Sequence, residues 1–405
     1  MSNRRSFIRA GAALSGAVAL GAPSLLQAQT TAIKIGYSSS KTGPNAGGTA
    51  TQNTPVYNMW VKEVNAAGGI NLKGRRLPVE VVEYDDRSSS DEAVRAYERL
   101  ATQDKVDFVF TPWGTALNLA VAPTLNKYNY PHLAVSAITD LAPQLVKRWR
   151  NIFFHQGGGT MYGEQLVETL EAQRKAGLIG NRLAMVSISD AFGVDLSGGA
   201  RKAAAKYGFQ FVYDKAYPVG TQDMSPLIND AKGANPDAFI AFSYPPDTVA
   251  LTEQARVSGF NPKVFYVGIG TAFPMYKQRF GANIEGVMGV GGVNVDDPRW
   301  TSFHKKHVEL SGQEPDRFSN ITIYSSLQVL QQAIERAGTL DRAAVIAEIN
   351  KGSFETANGT IRYTDQQSLD IWIVGQWQNG EFHGVAPASK PGVKKVQLKP
   401  AWKAA

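Results

Sequence analysis

VEVVEYDDRSSSDEAVRAYERLATQDKVDFVF, residues 79 to 110, contains in miniature the plan that the rest of the chain repeats. Val79 to Tyr84 is a β-branched run that reads as a strand. Ser88-Ser89-Ser90-Asp91 then offers helix caps, because short side-chain oxygens can accept the first unpaired backbone N–H groups of a helix. Ala93, Val94, Tyr97, Leu100 and Ala101 follow at helical spacing as one apolar stripe, and Val106 to Phe110 is a second strand. Two strands joined through such a helix run parallel, and a parallel sheet is covered by helices on both faces.

The alternation continues in both directions. Upstream, Ile33-Lys34-Ile35-Gly36-Tyr37 is a strand, and Val56, Met59, Trp60 and Val64 mark a helix that Gly68-Gly69 stops. Downstream, a helix over Leu117 to Tyr128 precedes the strand His132 to Ser136. The pattern restarts with a strand around Ile152-Phe153-Phe154, a helix from Met161 to Ala176 and the strand Leu183 to Ile188. Ala200 to Tyr207 is helical, Phe211 to Tyr213 extended, and Ser225-Pro226 opens a further helix. Asp237 to Ser243 and Val264 to Val267 complete a second parallel set. Asp104-Lys105-Val106-Asp107-Phe108 and Asn235-Pro236-Asp237-Ala238-Phe239 echo one another, each running from a helix end into a buried strand.

After Val293 the order changes. Helices are expected near Trp300 to Leu310, Ile321 to Ala337 and Arg342 to Asn350, followed by a strand pair, Thr360 to Tyr363 with Ile371 to Trp377. A late block of this kind returns to complete both halves, which predicts an α/β protein of two doubly wound parallel-sheet lobes: residues 29–150 with 294–352, and residues 151–293 with 353–405.

The first 28 residues predict export. Arg4-Arg5-Ser6-Phe7-Ile8-Arg9 precedes an uncharged run from Ala10 to Leu20 and then Leu26-Gln27-Ala28, the order of a secretory signal whose apolar segment is too short to span a bilayer. Its paired arginines resemble a twin-arginine signal, and both the twin-arginine and the general secretory route fit. With no cysteine in the chain, neither a lipid anchor at the cut site nor a disulfide can form. A cleaved, unanchored protein of the periplasm follows, with secretion into the medium the second choice.

Composition excludes little but narrows the partners. Cutting after Ala28 leaves 377 residues, enough for two cores, with 39 basic against 35 acidic side chains. That balance of +4 gives no reason to expect nucleic acid, and Lys390, Lys394, Lys395, Lys399 and Lys403 are expected to lie in a solvated tail. No G-x-S-x-G elbow, H-E-x-x-H pair or P-loop occurs, so no enzyme, metal or cofactor is expected. Gly268-Ile269-Gly270-Thr271 opens like a dinucleotide fingerprint, but Phe273 replaces the third glycine. His304 and His307 are expected on a solvated helix face, and His155 in hinge structure beside Gly157-Gly158-Gly159.

In doubly wound sheets a ligand sits beyond the carboxyl ends of the strands. Four loops there carry chemistry. Thr111-Pro112-Trp113-Gly114-Thr115 offers a hydroxyl, a flat ring and the N–H groups of a helix end, and Ser136-Ala137-Ile138-Thr139 repeats the hydroxyl pair; together they suit a carboxylate, unless the hydroxyls are only caps. Ser189-Asp190-Ala191-Phe192-Gly193 and Ser243-Tyr244-Pro245-Pro246-Asp247 each add a ring and an acid, which could cover an apolar ligand, meet a positive charge or cap a helix.

Ile33-Lys34-Ile35-Gly36 with Thr42-Gly43-Pro44, the block Val64-Asn65-Ala66-Ala67-Gly68-Gly69-Ile70 with Gly74-Arg75, and Tyr84-Asp85-Asp86 resemble the opening of the branched-chain amino acid (leucine/isoleucine/valine) binding proteins of ABC importers. Ala234-Asn235-Pro236-Asp237-Ala238 and Gln254-Ala255-Arg256 resemble the second half of that family. The resemblance implies a type I periplasmic-binding fold, two lobes joined by a three-crossing hinge, acting as a monomer without catalysis and delivering its ligand to membrane subunits. A ligand-sensing module of the same fold is the alternative. The family holds the ligand carboxylate with small hydroxyl residues and backbone N–H groups, which correspond to Thr115, beside Gly114, and to the loop Ser136, Ala137, Ile138 and Thr139; second-lobe rings, here Phe192 and Tyr244, close over the ligand, and Trp113 is the ring nearest the expected pocket. The family's acid for the ligand ammonium corresponds to Gly270, so that acid is missing unless Asp190 or Asp247 replaces it. Ala46-Gly47-Gly48 likewise stands where the family has a ring. A small carboxylate, branched or aromatic, is therefore the expected ligand rather than leucine.

Overall fold

A computed structural model describes residues 31–403 of this chain, so the signal sequence expected at 1–28 lies outside the described residues. In the first lobe, Val79–Asp85, Ile33–Ser39 and Phe108–Val109 form a parallel sheet in that order. His132–Ala134 pairs in parallel with Ile152–Phe154 beside it. The helix Ser90–Thr102 begins as its sequence requires: the Ser89 hydroxyl accepts from Glu92 N–H, Asp91 and Glu92 occupy the first turn, and Arg99 the last.

The second lobe is one seven-stranded sheet. Gln210–Tyr217, Arg182–Ile188, Ala238–Phe242, Val264–Val267 and Met288–Val290 run parallel in that spatial order, and Val374–Gln378 and Glu381–Ala386 add an antiparallel edge. All five residues of Ala238–Phe242 are buried, the continuous apolar run expected of a strand covered on both faces.

The echo between the halves has a physical basis. Asp107 and Asp237 each pair their backbone N–H with the strand beside them, to Lys34 O and Arg182 O at 2.8 Å in both cases. Each carboxylate then accepts from that same neighbour's N–H, at 2.8 Å from Lys34 and 3.1 Å from Arg182. Lys105 and Asn235, two residues before each aspartate, both have positive φ (52° and 49°).

Several expectations are corrected. Ile152–Phe154 does not open the second lobe, because it pairs with His132–Ala134 and Phe153 is buried in the first core. Thr360 to Tyr363 does not pair with Ile371 to Trp377. Ser353–Thr356 and Gly359–Arg362 form one hairpin, and Val374–Gln378 and Glu381–Ala386 form another, turned by Asn379-Gly380 with φ of 54° and 78°, the backbone that an Asn-Gly turn favours. Phe354 and Ile361 of the earlier hairpin sit in the first core, so the first lobe extends past residue 353. The lysine-bearing tail, finally, is not a free solvated arm: it packs on the second lobe, with Lys399 buried and Lys395 and Lys403 exposed. Val396, Leu398 and Trp402 pack on the second core, Gln376 and Gln378 donate to the carbonyls of Gln397 and Lys395, and the buried Lys399 donates to Pro400 O at 2.7 Å. His307 is buried too, its Nδ1 2.8 Å from Gln313 O.

The chain changes lobe three times, between Phe154 and Tyr162, between Val290 and Val293, and between Tyr363 and Ile371. Hydrogen bonds link these crossings: Ser368 N–H donates to Phe154 O, and Gly291 N–H to Ile373 O. Gly291 and Gly292 adopt φ of 102° and 122°, where a side chain is strained, and a Cβ on Gly291 would lie 2.5 Å from Phe318 Cβ. His155 is buried at the first crossing, its Nε2 3.0 Å from the Tyr363 hydroxyl, and burial pushes its pKa down to about 3, so it serves the hinge as a neutral ring.

Candidate ligand-binding cleft

The lobes meet where the strand ends of both point inward. The first-lobe helix Thr115–Lys127 touches the second-lobe helix Ala191–Tyr207, and Ala46–Thr51 touches Pro245–Val257. Trp113 is the wedge of this junction. Its ring packs on Gly48, where a Cβ would lie 2.3 Å from Cζ2, so the small-residue stretch 46–48 is what gives the indole its place. The indole Nε1 donates to Gln52 Oε1 (2.6 Å), and Gln52 Nε2 donates to Asp316 Oδ2 (2.5 Å). Asp316 is fully buried, and that burial raises its carboxyl pKa; the N–H groups of Ser319 (3.0 Å) and Asn320 (2.7 Å) offset the effect by donating to it.

From the second lobe, Phe192 and Tyr244 stack on each other with centroids 5.1 Å apart, and the edge of Tyr244 meets Trp113 at 5.4 Å. The Tyr244 hydroxyl donates to Asp190 Oδ2 at 2.7 Å. These three rings, with Ile138, Ile269 and Phe318, make the apolar wall of one cavity. Gln52, Gly114, Thr115, Ser136 and Gln156 make its polar wall. The rings meet so closely that its volume is about 20 Å³, on the order of one water's room, so a ligand must part them.

Of the ten expected site residues, six line this cavity: Trp113, Gly114, Thr115, Ser136, Phe192 and Tyr244. Their hydroxyls are occupied within the protein. Thr115 Oγ1 accepts from Ile138 N–H (3.0 Å) and donates to Ile138 O (3.2 Å), and Ser136 Oγ donates to Pro112 O and accepts from Gly114 N–H, both at 3.1 Å. The polar group of this wall left without a partner is therefore the helix end itself. Gly114, with φ of 93°, begins Thr115–Lys127 with no side-chain cap, leaving first-turn N–H groups unpaired.

The other four do not line it. Ala137 is buried among Ala122, Ala134 and Phe154 of the first lobe. Thr139 donates its hydroxyl across the junction to Asp195 (3.1 Å), which also accepts from Asp140 N–H (2.9 Å), while Asp140 accepts from the Thr160 hydroxyl (2.6 Å). This reciprocal pair fastens the lobes together. Asp247 accepts from the Tyr217 hydroxyl (3.2 Å) and burial pushes its carboxyl pKa up to about 6; Gly270, with φ of 112°, abuts Pro245 and leaves the wall to Ile269. Asp190 caps Ala191–Tyr207 through Gly193 N–H (3.0 Å) and burial raises its pKa as well. Neither acid reaches the cavity wall, so neither replaces the missing ammonium partner in this arrangement.

Gln52, Gln156, Ile138, Ile269 and Phe318 were not among the expected residues. Gln156 lies beside the glycine-rich crossing and Gln52 just past the small-residue stretch, so both had a sequence signal nearby. Phe318 had none, because the late segment 314–319 reaches the cleft only through the second crossing.

Two doubly wound lobes, three crossings and one cavity between facing strand ends define the class of two-lobed binding proteins. The chain belongs to the periplasmic binding protein family, whose model matches residues 32–381. It is 23% identical over 347 residues to Leu/Ile/Val-binding protein homolog 7 of Brucella melitensis, covering 81% of this chain and 84% of that protein. A leucine binding protein of Thermotoga maritima superposes with a TM-score of 0.72 at 24% identity, covering 86% of this chain and 97% of that one. An ABC transporter solute binding protein of Rhodopseudomonas palustris, in complex with benzoate, gives 0.74 at 16% identity, covering 92% and 98%. These are substrate-binding proteins, and the likenesses carry the type I periplasmic-binding fold. Among the described residues no helix is long and apolar enough to cross a membrane.

Proposed function

We propose that this protein is the periplasmic, unanchored substrate-binding component of an ABC importer, and that it captures a small carboxylate with a branched or aromatic body and delivers it unchanged to the membrane subunits. The observation behind this is the division of the cavity wall: an uncapped helix end on the first lobe, three rings across the junction, and no acid. Unpaired N–H groups at a helix start favour an anion. The rings favour a flat or branched apolar body. An ammonium would be left unpaired there, which costs several kcal/mol.

The ligand first meets the Thr115 helix end and then draws Phe192 and Tyr244 over it. Closure follows because only the closed form gives the ligand contacts to both lobes, which is the differential affinity a conformational change requires. Thermal shift on protein stripped of carried-over ligand, with amino acids, aromatic acids, aliphatic acids and amides, tests the proposal. A true ligand at 100 times its dissociation constant adds about 2.7 kcal/mol of stability, a rise of a few degrees. Stabilisation by aromatic or branched acids supports the proposal; stabilisation by leucine with none by those acids contradicts it.

A further inference from the structure

The roomier cavity in this part of the molecule is not the one between the rings. Phe318 is a wall shared with a second cavity of about 170 Å³, framed by the second crossing at Gly292–Asn294 and the third at Asp370–Trp372. Trp300, Ile321 and Ile371, each 7–8% exposed, are the buried apolar part of its lining, and Asn294, Thr322 and Asn358 add polar groups. Apolar cavities of about 150 Å³ hold a benzene ring, so this one is of a size for a single ring without any wall moving.

The mouth supplies a cation that is held in place. The Lys390 side chain is only 15% exposed and its Nζ lies 5.5 Å from the centre of the Trp372 ring, whereas its ion-pair partner Asp370 is 86% exposed. A pair with so exposed a partner contributes little, so Asp370 is readily exchanged for another carboxylate. The second cation at the mouth, Arg299, is engaged at 2.7 and 3.1 Å by Asp297 and keeps that acid from Lys390.

We propose that this cavity is a second binding site, for a small organic acid with one planar apolar ring: the ring rests on Trp300 and Ile371, and the carboxylate takes the place of Asp370 on Lys390. The site stands on its own observation, whatever fills the cleft.

Fluorine NMR on full-length protein labelled with 5-fluorotryptophan separates the two sites, each signal being assigned by a Trp→Phe variant. Benzoate, with benzamide as the uncharged control, is titrated to about 10 mM, enough to fill a site of millimolar affinity. The expected result is a saturable shift of the Trp300 and Trp372 signals by benzoate and not by benzamide, with a half-saturation different from that of Trp113. Lys390→Met should raise that half-saturation about tenfold or more, the loss of a charged hydrogen-bond partner, and leave Trp113 unaffected. Lys390→Gln carries the same expectation should the methionine variant not fold. Still signals at Trp300 and Trp372 would overturn the proposal, as would shifts that track Trp113 point for point and ignore the Lys390 change. Movement at Trp300 and Trp372 with Trp113 unmoved would support this site and count against the cleft.

Discussion

The two lobes present helix N-termini to the same cavity but start them differently. On the first, Gly114 begins Thr115–Lys127 without a side-chain cap, so its N–H groups remain available. On the second, Asp190 caps Ala191–Tyr207 with a carboxylate, and Pro245–Val257 starts with two prolines, which have no N–H to give. Both halves are built from the same strand-helix plan, down to the matched clasps of Asp107 and Asp237. Yet the first leaves N–H groups that can pair with an anion, and the second does not. The difference teaches that the polarity of each side of the cavity is set by how its helix is started, not by the sheet it follows; under the proposed function a carboxylate would face Thr115 and the apolar body Phe192 and Tyr244.

The largest expected break in that arrangement is Trp113→Ala. The ring is 2% exposed and bridges Gly48 to Tyr244, so its loss should destabilise the protein by about 3–5 kcal/mol in guanidinium titration. A loss below about 1 kcal/mol would mean that the lobes do not depend on this contact.

Asp247→Asn sharpens the contrast from the second-lobe side. Burial raises the Asp247 pKa to about 6 from 3.8, so its ionised form is disfavoured in the folded protein. The stability it contributes is present below pH 3.8 and is lost as the pH rises through 6. The asparagine variant should therefore be more stable than the parent at pH 7.5, by up to about 3 kcal/mol, with no gain near pH 3. A gain that is the same at both pH values would rule out this cause.

Thr115→Ala removes the hydroxyl that ties the helix end to Ile138 and leaves a buried N–H without a partner. It should weaken folding stability, and the affinity of any acid that the thermal-shift screen finds for the cleft, by about 1–3 kcal/mol, read by denaturation and calorimetry. Thr139→Ala should do least. Its hydroxyl fastens Asp195 across the junction rather than facing the cavity, so affinity should fall by about 0.5–1.5 kcal/mol, by the same factor for every ligand. A ligand-dependent change would return Thr139 to the binding wall.

The strand-helix alternation was legible because its signals are local: Ser89 caps where it should, and Ala238–Phe242 is apolar throughout. The loops holding Trp113, Thr115, Phe192 and Tyr244 were legible because they directly follow strands. Their hydrogen bonds were not, since a hydroxyl that caps and one that faces a ligand look alike in sequence. Pairing across the late hairpins failed for a related reason: Asn379-Gly380 marks a turn, but Ile371 to Trp377 looked strand-like alone and drew the wrong partner. The tail misled through its lysines, whose charge hid Val396, Leu398 and Trp402. Phe318 arrives at the cleft only through the second crossing, which periodicity does not encode, whereas Gln52 and Gln156 lay beside glycine-rich signals that do not by themselves mark a binding wall.

The central claim is that the cleft grips a carboxylate and has no partner for an ammonium. Titration calorimetry on stripped protein with leucine and with 4-methylpentanoate, the same molecule without its amino group, tests it most directly. The account predicts that 4-methylpentanoate binds more tightly than leucine, by about tenfold or more, since an unpaired buried charge costs at least a factor of that size. Micromolar leucine binding with no detectable 4-methylpentanoate binding would contradict it.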